Sequence, residues 1–340
     1  HPKTSASLTN IPQMISAPCT ILGCGMFGGR DTTVFLQCFN SPMFAPLLTL
    51  CSEAFAQKAP DEVMPSIAKS NDERQKEVMT EMMTKLAMGT LDPNETLPKN
   101  VVPVGIIVDQ GKGGEISQDL EAFITRDDKP VIYVSMGSVA NFNAEQLAKM
   151  CEGLTGNGEW RVIWSLRKTQ QALLPEGGIK ALGSDFYVSS WLPQAELLVH
   201  KKIALFISHC GWGATSEAIV SRKPVLAFPM FADQNANAML MCILGMCKIL
   251  GEERFPTLNA QTMMDPKISQ LMARWMTISG QLRENLTPTL LKDDIRHMLT
   301  TKAYKGGANR ACTMNTTFQG GAPKAAEHVE RIALEAKKSP

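Results

Sequence analysis

An α/β fold built on a doubly wound parallel sheet is predicted from about residue 125 onward, on three observations. Short continuous apolar runs alternate with helix-period segments, the pattern of buried parallel strands joined by crossover helices. Glycine, aromatic and polar residues gather directly after several of those runs, at the carboxyl ends of strands where open α/β sheets hold ligands. The 340 residues are 44% apolar and 20% charged, enough to bury a sizeable core.

Residues 1 to about 70 hold no sustained period and are punctuated by Pro2, Pro12, Pro18, Pro42, Pro46, Pro60 and Pro65. Val78, Met79, Met82, Met83 and Leu86 then recur at helical spacing and end at a capping Gly89. Residues 91–130 are loop-rich and carry the interdomain connection; the glycines at 111–114 lack the order of a phosphate-binding loop. Val131–Ser135 is the first buried strand. Asn143 and Gln146 make a capping box for a helix whose inner stripe is Leu147, Met150, Cys151 and Leu154. Further strands are predicted over 161–166, Phe186–Ser189, Ile203–Ser208 and 225–228. Pro193 suits a first helical turn, a helix runs from about Thr215 after a glycine turn, and another opens at Asp233. Residues 325–337 form an amphipathic tail helix.

Composition narrows the function classes. Thirty-four basic against thirty-three acidic residues leave a net charge of +1, which argues against a nucleic-acid binder. The richest apolar stretch, 238–247, is too short to span a bilayer and contains Gly245. Nine scattered cysteines without CxxC pairs read as buried free thiols and not as a metal site. Twenty methionines read as core filler. Trp160, Trp164 and Trp275 read as core. Asp127-Asp128 and Asp293-Asp294 read as surface charge, and Arg167 as an exposed arginine. His200 is expected to pack or cap its helix.

The strand ends carry the chemistry. Met136-Gly137-Ser138 follows the first strand, and Trp191-Leu192-Pro193-Gln194 follows the strand at Phe186–Ser189. After Ile203–Ser208 come His209, Cys210, Gly211, Trp212, Gly213, Ala214, Thr215, Ser216 and Glu217. Asp233 and Gln234 follow the strand at 225–228. Such a set suits a nucleotide diphosphate sugar. Gly211 and Gly213 let backbone approach a phosphate, and the following helix offers free N–H groups and a positive dipole end. His209 adds a donor. Glu217 could accept from both ribose hydroxyls, Trp191 offers a stacking face for a base, and Gln194 could pair a base edge. Asp233 and Gln234 could hold sugar hydroxyls.

Residues 191–238 resemble the donor-binding signature of the UDP-glycosyltransferases, a plant-and-animal family with the two-domain GT-B fold. The matching pieces are W-x-P-Q, L-L-x-H, H-C-G-W, the glutamate eight residues after His209, P-V-x-x-F-P-x-x-x-D-Q and N-x-N-A. Leu97 to Val101, Val104-Gly105, the stretch 131–138 and Gly320-Gly321-Ala322 extend the resemblance over roughly residues 95–335. It implies a partial acceptor-binding domain and linker over 1–124, a Rossmann-like donor domain over 125–320 and a C-terminal helix over 321–340 packing back toward the N-terminal domain. It implies that Trp191 stacks on uracil, Gln194 bonds it and Glu217 holds the ribose. His209, the backbone of 211–215 and Ser138 would take the diphosphate, while Trp212, Asp233 and Gln234 face the sugar. The implied reaction is metal-independent, inverting transfer of a hexose, glucose first in line, from a UDP-sugar co-substrate to a hydroxyl of a small lipophilic acceptor. No cofactor, nucleic acid or membrane span is expected, and the chain is expected to be cytoplasmic, with membrane association the alternative.

Two departures stand out. Gly213-Ala214 replaces the Asn-Ser of the plant pattern. The family's base histidine near the N-terminus has no counterpart, since the histidines are His1, His200, His209, His297 and His328. No catalytic residue is therefore assigned. The acceptor domain is expected to be truncated, and a non-catalytic or partner-dependent UDP-sugar binder, completed by a partner chain, is the alternative. A nicotinamide-dependent oxidoreductase is a remote one: Gly23-x-Gly25-x-x-Gly28 spells a dinucleotide fingerprint, with Glu53 some thirty residues on, but a turn in the acceptor remnant is preferred.

Overall fold

A computed structural model of the chain describes residues 24–26, 34–36, 104–108, 114–231, 233–256, 265–275, 278–319 and 321–338. They fall into two compact units, one made of Val108–Leu258 and Asp265–Thr313, the other holding the rest. The helix at 78–86, the stretch 97–101, Gly23, Gly28 and Glu53 lie outside the described residues.

In the smaller unit, β1 (Cys24–Met26) and β2 (Val34–Leu36) pair antiparallel, with Gly25 opposite Phe35. Gly25 thus sits inside a strand, where neither a dinucleotide-binding turn nor the expected loop turn would place it. The tail helix of this unit covers Gly321–Lys338, longer than expected. Gly321 opens it at φ 64°, and its N–H donates to the Val104 carbonyl at 2.6 Å.

The larger unit is a six-stranded, wholly parallel sheet: β3 (Val131–Ser135), β4 (Arg161–Ser165), β5 (Phe186–Ser189), β6 (Ile203–Ser208), β7 (Val225–Ala227) and β8 (Cys247–Ile249). The strand order is β5-β4-β3-β6-β7-β8. The chain builds outward from β3 in one direction, returns to β3's other side, and builds outward again. The switch point lies between β3 and β6, so their carboxyl ends open the crevice that binds ligands in such sheets. Every residue of β3 is buried, as its continuous apolar run requires.

Helices α1 (Gln118–Thr125), α2 (Ala144–Leu154), α3 (Lys168–Gln171), α4 (Gly178–Ala181), α5 (Gln194–Val199), α6 (Trp212–Val220) and α7 (Gln234–Ile243) alternate with the strands. Then come α8 (Pro266–Trp275), α9 (Ser279–Leu282), α10 (Pro288–Thr300) and α11 (Lys302–Gln319). The Asn143–Gln146 capping box forms in both directions, at 2.8 and 3.1 Å, and fixes where α2 begins. Leu147, Met150, Cys151 and Leu154 are buried, as are Trp160, Trp164 and Trp275. Among the described residues no helix is long and apolar enough to cross a membrane.

Three readings need correction. The helix expected from Thr215 begins at Trp212, because Cys210 adopts φ 63° and Gly211 an extended conformation that serves as the N-cap. Asp294 is buried, not a surface charge: its Oδ1 meets Lys248 Nζ at 2.5 Å and its Oδ2 takes the Gly251 N–H at 2.7 Å. Arg167, expected to be exposed, is half-buried against Asn141 Oδ1 at 2.7 Å, whereas Asp127 keeps a partly exposed position 3.2 Å from the Arg161 guanidinium.

Candidate functional site

The turn leaving β6 is built around one imidazole. A Cβ placed on Gly137, just after β3, would lie 2.6 Å from His209 Nε2, and a Cβ on Gly211 would lie equally close. Both positions must be glycine for the ring to sit where it does. Gly137 additionally holds φ 69°, which an L side chain rarely adopts. Burial lowers the His209 pKa below the ordinary histidine value, with the Ser135 backbone carbonyl opposing the shift. No hydrogen bond of normal geometry reaches its buried Nδ1. Ser138 stands exposed beside Gly137 at the end of β3.

Cys210 is fixed in its left-handed conformation from two sides. Its N–H donates to Ser208 Oγ at 3.0 Å, and its carbonyl accepts from Asn237 Nδ2 at 3.0 Å and Thr215 Oγ1 at 3.3 Å. This aims the start of α6 into the crevice. The N–H groups of Trp212, Gly213 and Ala214 stand outside the intrahelical ladder. The Thr215 N–H does not, since it donates to the Gly211 carbonyl at 2.9 Å. A Cβ on Gly213 would meet nothing within 4 Å.

The β5–α5 connection supplies Trp191, 66% exposed, whose indole edge lies 3.4 Å from a Cβ built on Gly114. Ser189 Oγ donates to the Trp191 carbonyl at 2.8 Å and fixes the turn. Gln194 bridges two elements: its Oε1 accepts from Tyr133 Oη at 3.1 Å and its Nε2 donates to Glu217 Oε2 at 2.6 Å. Burial raises the Glu217 pKa, with Gln194 opposing and the Glu196 charge adding to the rise.

At the β7–α7 connection Asp233 is half-buried and accepts from Asn237 Nδ2 at 2.9 Å; burial raises its pKa, and Asn237 opposes the rise. Gln234 is buried, and its Oε1 takes the N–H groups of Met230 and Phe231 at 2.8 and 3.2 Å.

Two residues beyond the predicted set shape the corner. Arg167 is half-buried and donates to the Ala140 carbonyl and to Asn141 Oδ1, at 2.7 Å for the latter. Buried Gln170 accepts the Phe142 N–H at 2.7 Å and donates to the Phe142 carbonyl at 3.2 Å. Together they hold the loop that carries Gly137 and Ser138. The pairs are too far apart in sequence for spacing to reveal them. His200 caps α5, its Nδ1 accepting the Lys202 N–H at 3.2 Å and its Nε2 lying 3.4 Å from Glu121.

Of the seven buried side-chain polar atoms without a partner among the described residues, four belong to His209, Trp212, Ser216 and Glu196. Buried polar groups are normally paired, and the unpaired atoms of His209 and Trp212, both on the turn after β6, are available to a polar ligand.

A family model described as UDP-glucoronosyl and UDP-glucosyl transferase matches residues 10–264. Among curated proteins, UDP-glycosyltransferase 74D1 of Arabidopsis thaliana is 30% identical over 62% of this chain and 46% of its own length. UDP-glycosyltransferase 74E1 of the same plant is 36% identical over 38% of this chain and 28% of its own. Mogroside I-E synthase of Siraitia grosvenorii is 37% identical over 34% and 26%. The chain thus spans less than half the length of these relatives. Among solved structures, Medicago truncatula UGT71G1 complexed with UDP-glucose superposes with a TM-score of 0.52 at 19% identity, over 84% of this chain and 60% of that one. Phytolacca americana UGT2 complexed with UDP-2fluoro-glucose and pterostilbene gives 0.51 at 19% identity, over 81% and 58%. These two share the GT-B fold with this chain.

Proposed function

The chain belongs to the UDP-glucoronosyl and UDP-glucosyl transferase family, and on that premise we propose that it binds a UDP-sugar and supports transfer of the hexose, glucose first, to a hydroxyl of a small lipophilic acceptor. The observation that carries this reading is a glycine-gripped imidazole, a free helix N-terminus and a half-buried carboxylate after β6, beside the β3/β6 switch point, with an exposed indole on the β5–α5 connection whose Gln194 bonds that carboxylate. Residues 125–320 form the donor domain in this scheme, 1–124 belong to the acceptor domain and linker, and 321–340 form the closing helix.

Each residue has a role. Trp191 stacks on the uracil, and Gln194 and Glu217 hold the nucleoside. Ser138, His209 and the N–H groups of Trp212, Gly213 and Ala214 meet the diphosphate. Trp212, Asp233 and Gln234 face the sugar, and Thr215 contributes by tying down the Cys210 carbonyl. A general base that none of the residues named here provides takes the acceptor hydroxyl's proton as its oxygen attacks the anomeric carbon from the face opposite UDP; the bond to the diphosphate breaks and the configuration inverts. Charge growing on the leaving diphosphate is met by the α6 N-terminus and His209, placed before reaction begins, with no metal assigned a part. His209 faces the diphosphate and His200 caps α5, so neither takes the proton of the attacking hydroxyl.

Titration calorimetry with UDP tests the donor site. Stacking contributes about 1–3 kcal/mol and a charged hydrogen bond about 1.5–3 kcal/mol, so a Trp191→Ala, Glu217→Ala double variant should bind roughly 100-fold or more weakly. A folded wild-type chain that ignores millimolar UDP would overturn the proposal.

A further inference from the structure

We propose that Tyr133 is a positioning residue for the ribose side of this site, acting through Gln194 on the Glu217 carboxylate and thereby setting a preference for a ribonucleotide over its 2′-deoxy counterpart. The inference rests on the donor reading above.

Tyr133 lies in the middle of β3, and its ring stacks on Phe206 of β6 with centroids 5.2 Å apart and planes 12° apart. The sheet core therefore fixes where its hydroxyl points. That hydroxyl donates to Gln194 Oε1 at 3.1 Å, and Gln194 Nε2 donates to Glu217 Oε2 at 2.6 Å. The side chains of Ser135 and Ser165 flank the same hydroxyl. The chain of bonds runs across β3, α5 and α6, through residues with no proximity in sequence.

The relay has a direction. A carboxamide has one accepting and one donating end. With its oxygen held by Tyr133, Gln194 must turn its NH₂ to the carboxylate. The flipped amide would set a carbonyl oxygen against a carboxylate oxygen and leave its NH₂ facing the phenol. Glu217 is thereby oriented at Oε2, while Oε1 and the remaining lone pair of Oε2 stay open to two vicinal hydroxyls. A carboxylate held in one plane distinguishes two hydroxyls from one; a rotating carboxylate pairs almost as well with one.

Calorimetry on the full chain, with UDP and 2′-deoxy-UDP, tests this. Wild type should prefer UDP by about 10-fold or more, the size of one charge-assisted hydrogen bond. Tyr133→Phe keeps the ring and its stack, so folding should survive; its UDP affinity should fall while 2′-deoxy-UDP is held as before, and the ratio should collapse toward one. Gln194→Leu cuts the relay from its α5 end and should collapse the ratio too, which keeps the test available if Tyr133→Phe is unstable. Tyr133→Phe retaining the wild-type ratio, or losing both ligands equally, would overturn the inference, because a merely structural tyrosine changes both affinities together. Wild type binding both ligands alike would overturn it and leave the donor reading standing. Wild type binding neither would remove the donor reading and this inference with it.

Discussion

Two alanines placed two residues apart should act with opposite sign. An alanine Cβ at Gly211 would sit 2.6 Å from His209 Nε2 and 3.3 Å from both Cδ2 and Cε1. Optimal contact between such atoms is about 3.5–4.0 Å, so the overlap at Nε2 is roughly 1 Å. The ring has little room to yield, since its Nδ1 is buried and Gly137 borders the same Nε2. Overpacking of this kind costs about 1–3 kcal/mol. Gly211 is not at a positive φ, so its substitution adds no left-handed backbone strain, and the loss of a good N-cap residue acts in the same direction as the overlap. Gly213 sits in the first turn of α6, and its Cβ would meet nothing within 4 Å. There alanine should gain about 0.5–1 kcal/mol by stiffening the unfolded chain. Urea denaturation should therefore separate Gly211→Ala from Gly213→Ala by roughly 1.5–4 kcal/mol. Calorimetry should show UDP affinity falling about 10-fold or more in Gly211→Ala as the imidazole is displaced. A Gly211→Ala chain as stable and as tight-binding as wild type would refute the claim that the two glycines hold the imidazole.

Binding should also depend on pH in two opposite limbs. Burial holds the free His209 below its ordinary value, and a diphosphate favours the imidazolium, so His209's contribution is full below its free pKa and lost as pH rises through the bound one. Burial, with the Glu196 charge, holds free Glu217 above its ordinary value, and ribose hydroxyls favour the carboxylate; its contribution is full above the free pKa and lost as pH falls through the bound one. UDP-glucose affinity should be bell-shaped and uridine affinity should lack the alkaline limb, with an alkaline limb for uridine counting against the His209 assignment. Asp294→Ala should cost about 3–5 kcal/mol by leaving Lys248 buried and unpaired, and the Lys248→Met, Asp294→Leu double variant should recover most of it in the same denaturation assay. Gln170→Ala should cost about 1–3 kcal/mol by stripping both Phe142 backbone partners. It should also weaken UDP while leaving uridine unchanged, because the loop it holds carries only phosphate-side groups.

Strands β3, β5 and β6 were legible because each is a continuous apolar run bounded by turn residues, and α2 because its capping box is written within four positions. β8 was not, because Lys248 stands in the middle of three residues and its charge hides the strand. Only the fold supplies its partner, Asp294, itself disguised as half of an acidic pair on α10. The start of α6 was hidden by low helix propensity. Gly211 and Gly213 read as loop, yet Gly211 is the N-cap of α6 and Gly213 stands in its first turn, so tertiary packing overrides their propensity. Arg167 illustrates a third kind of loss. A lone arginine after a strand has no pattern, and the Ala140 and Asn141 groups it holds become its neighbours only once β3 and β4 pair.

The candidate site shows the same division between identity and orientation. Its residue types stand in one dense stretch, because they come from three successive strand–helix turns at the carboxyl edge of one parallel sheet. What each polar group does is decided by partners far away in sequence. Gln194 reads as a group free to pair a base edge; in the fold both ends of its carboxamide are bonded, to residues 61 positions before and 23 after it. The Thr215 N–H reads as a phosphate donor and is already bonded to Gly211. The groups left without partners are the informative ones. An unpaired buried polar group costs about 1–3 kcal/mol, and two of them, His209 Nδ1 and Trp212 Nε1, belong to the turn that follows β6. On the donor reading, UDP supplies bonds that His209 and Trp212 lack in the free chain. Saturating UDP should accordingly raise its stability by RT ln(1 + [L]/Kd), about 2.7 kcal/mol at 100 Kd. Trp191→Ala, which folds without the ligand's help, should lose that increment far more than it loses intrinsic stability.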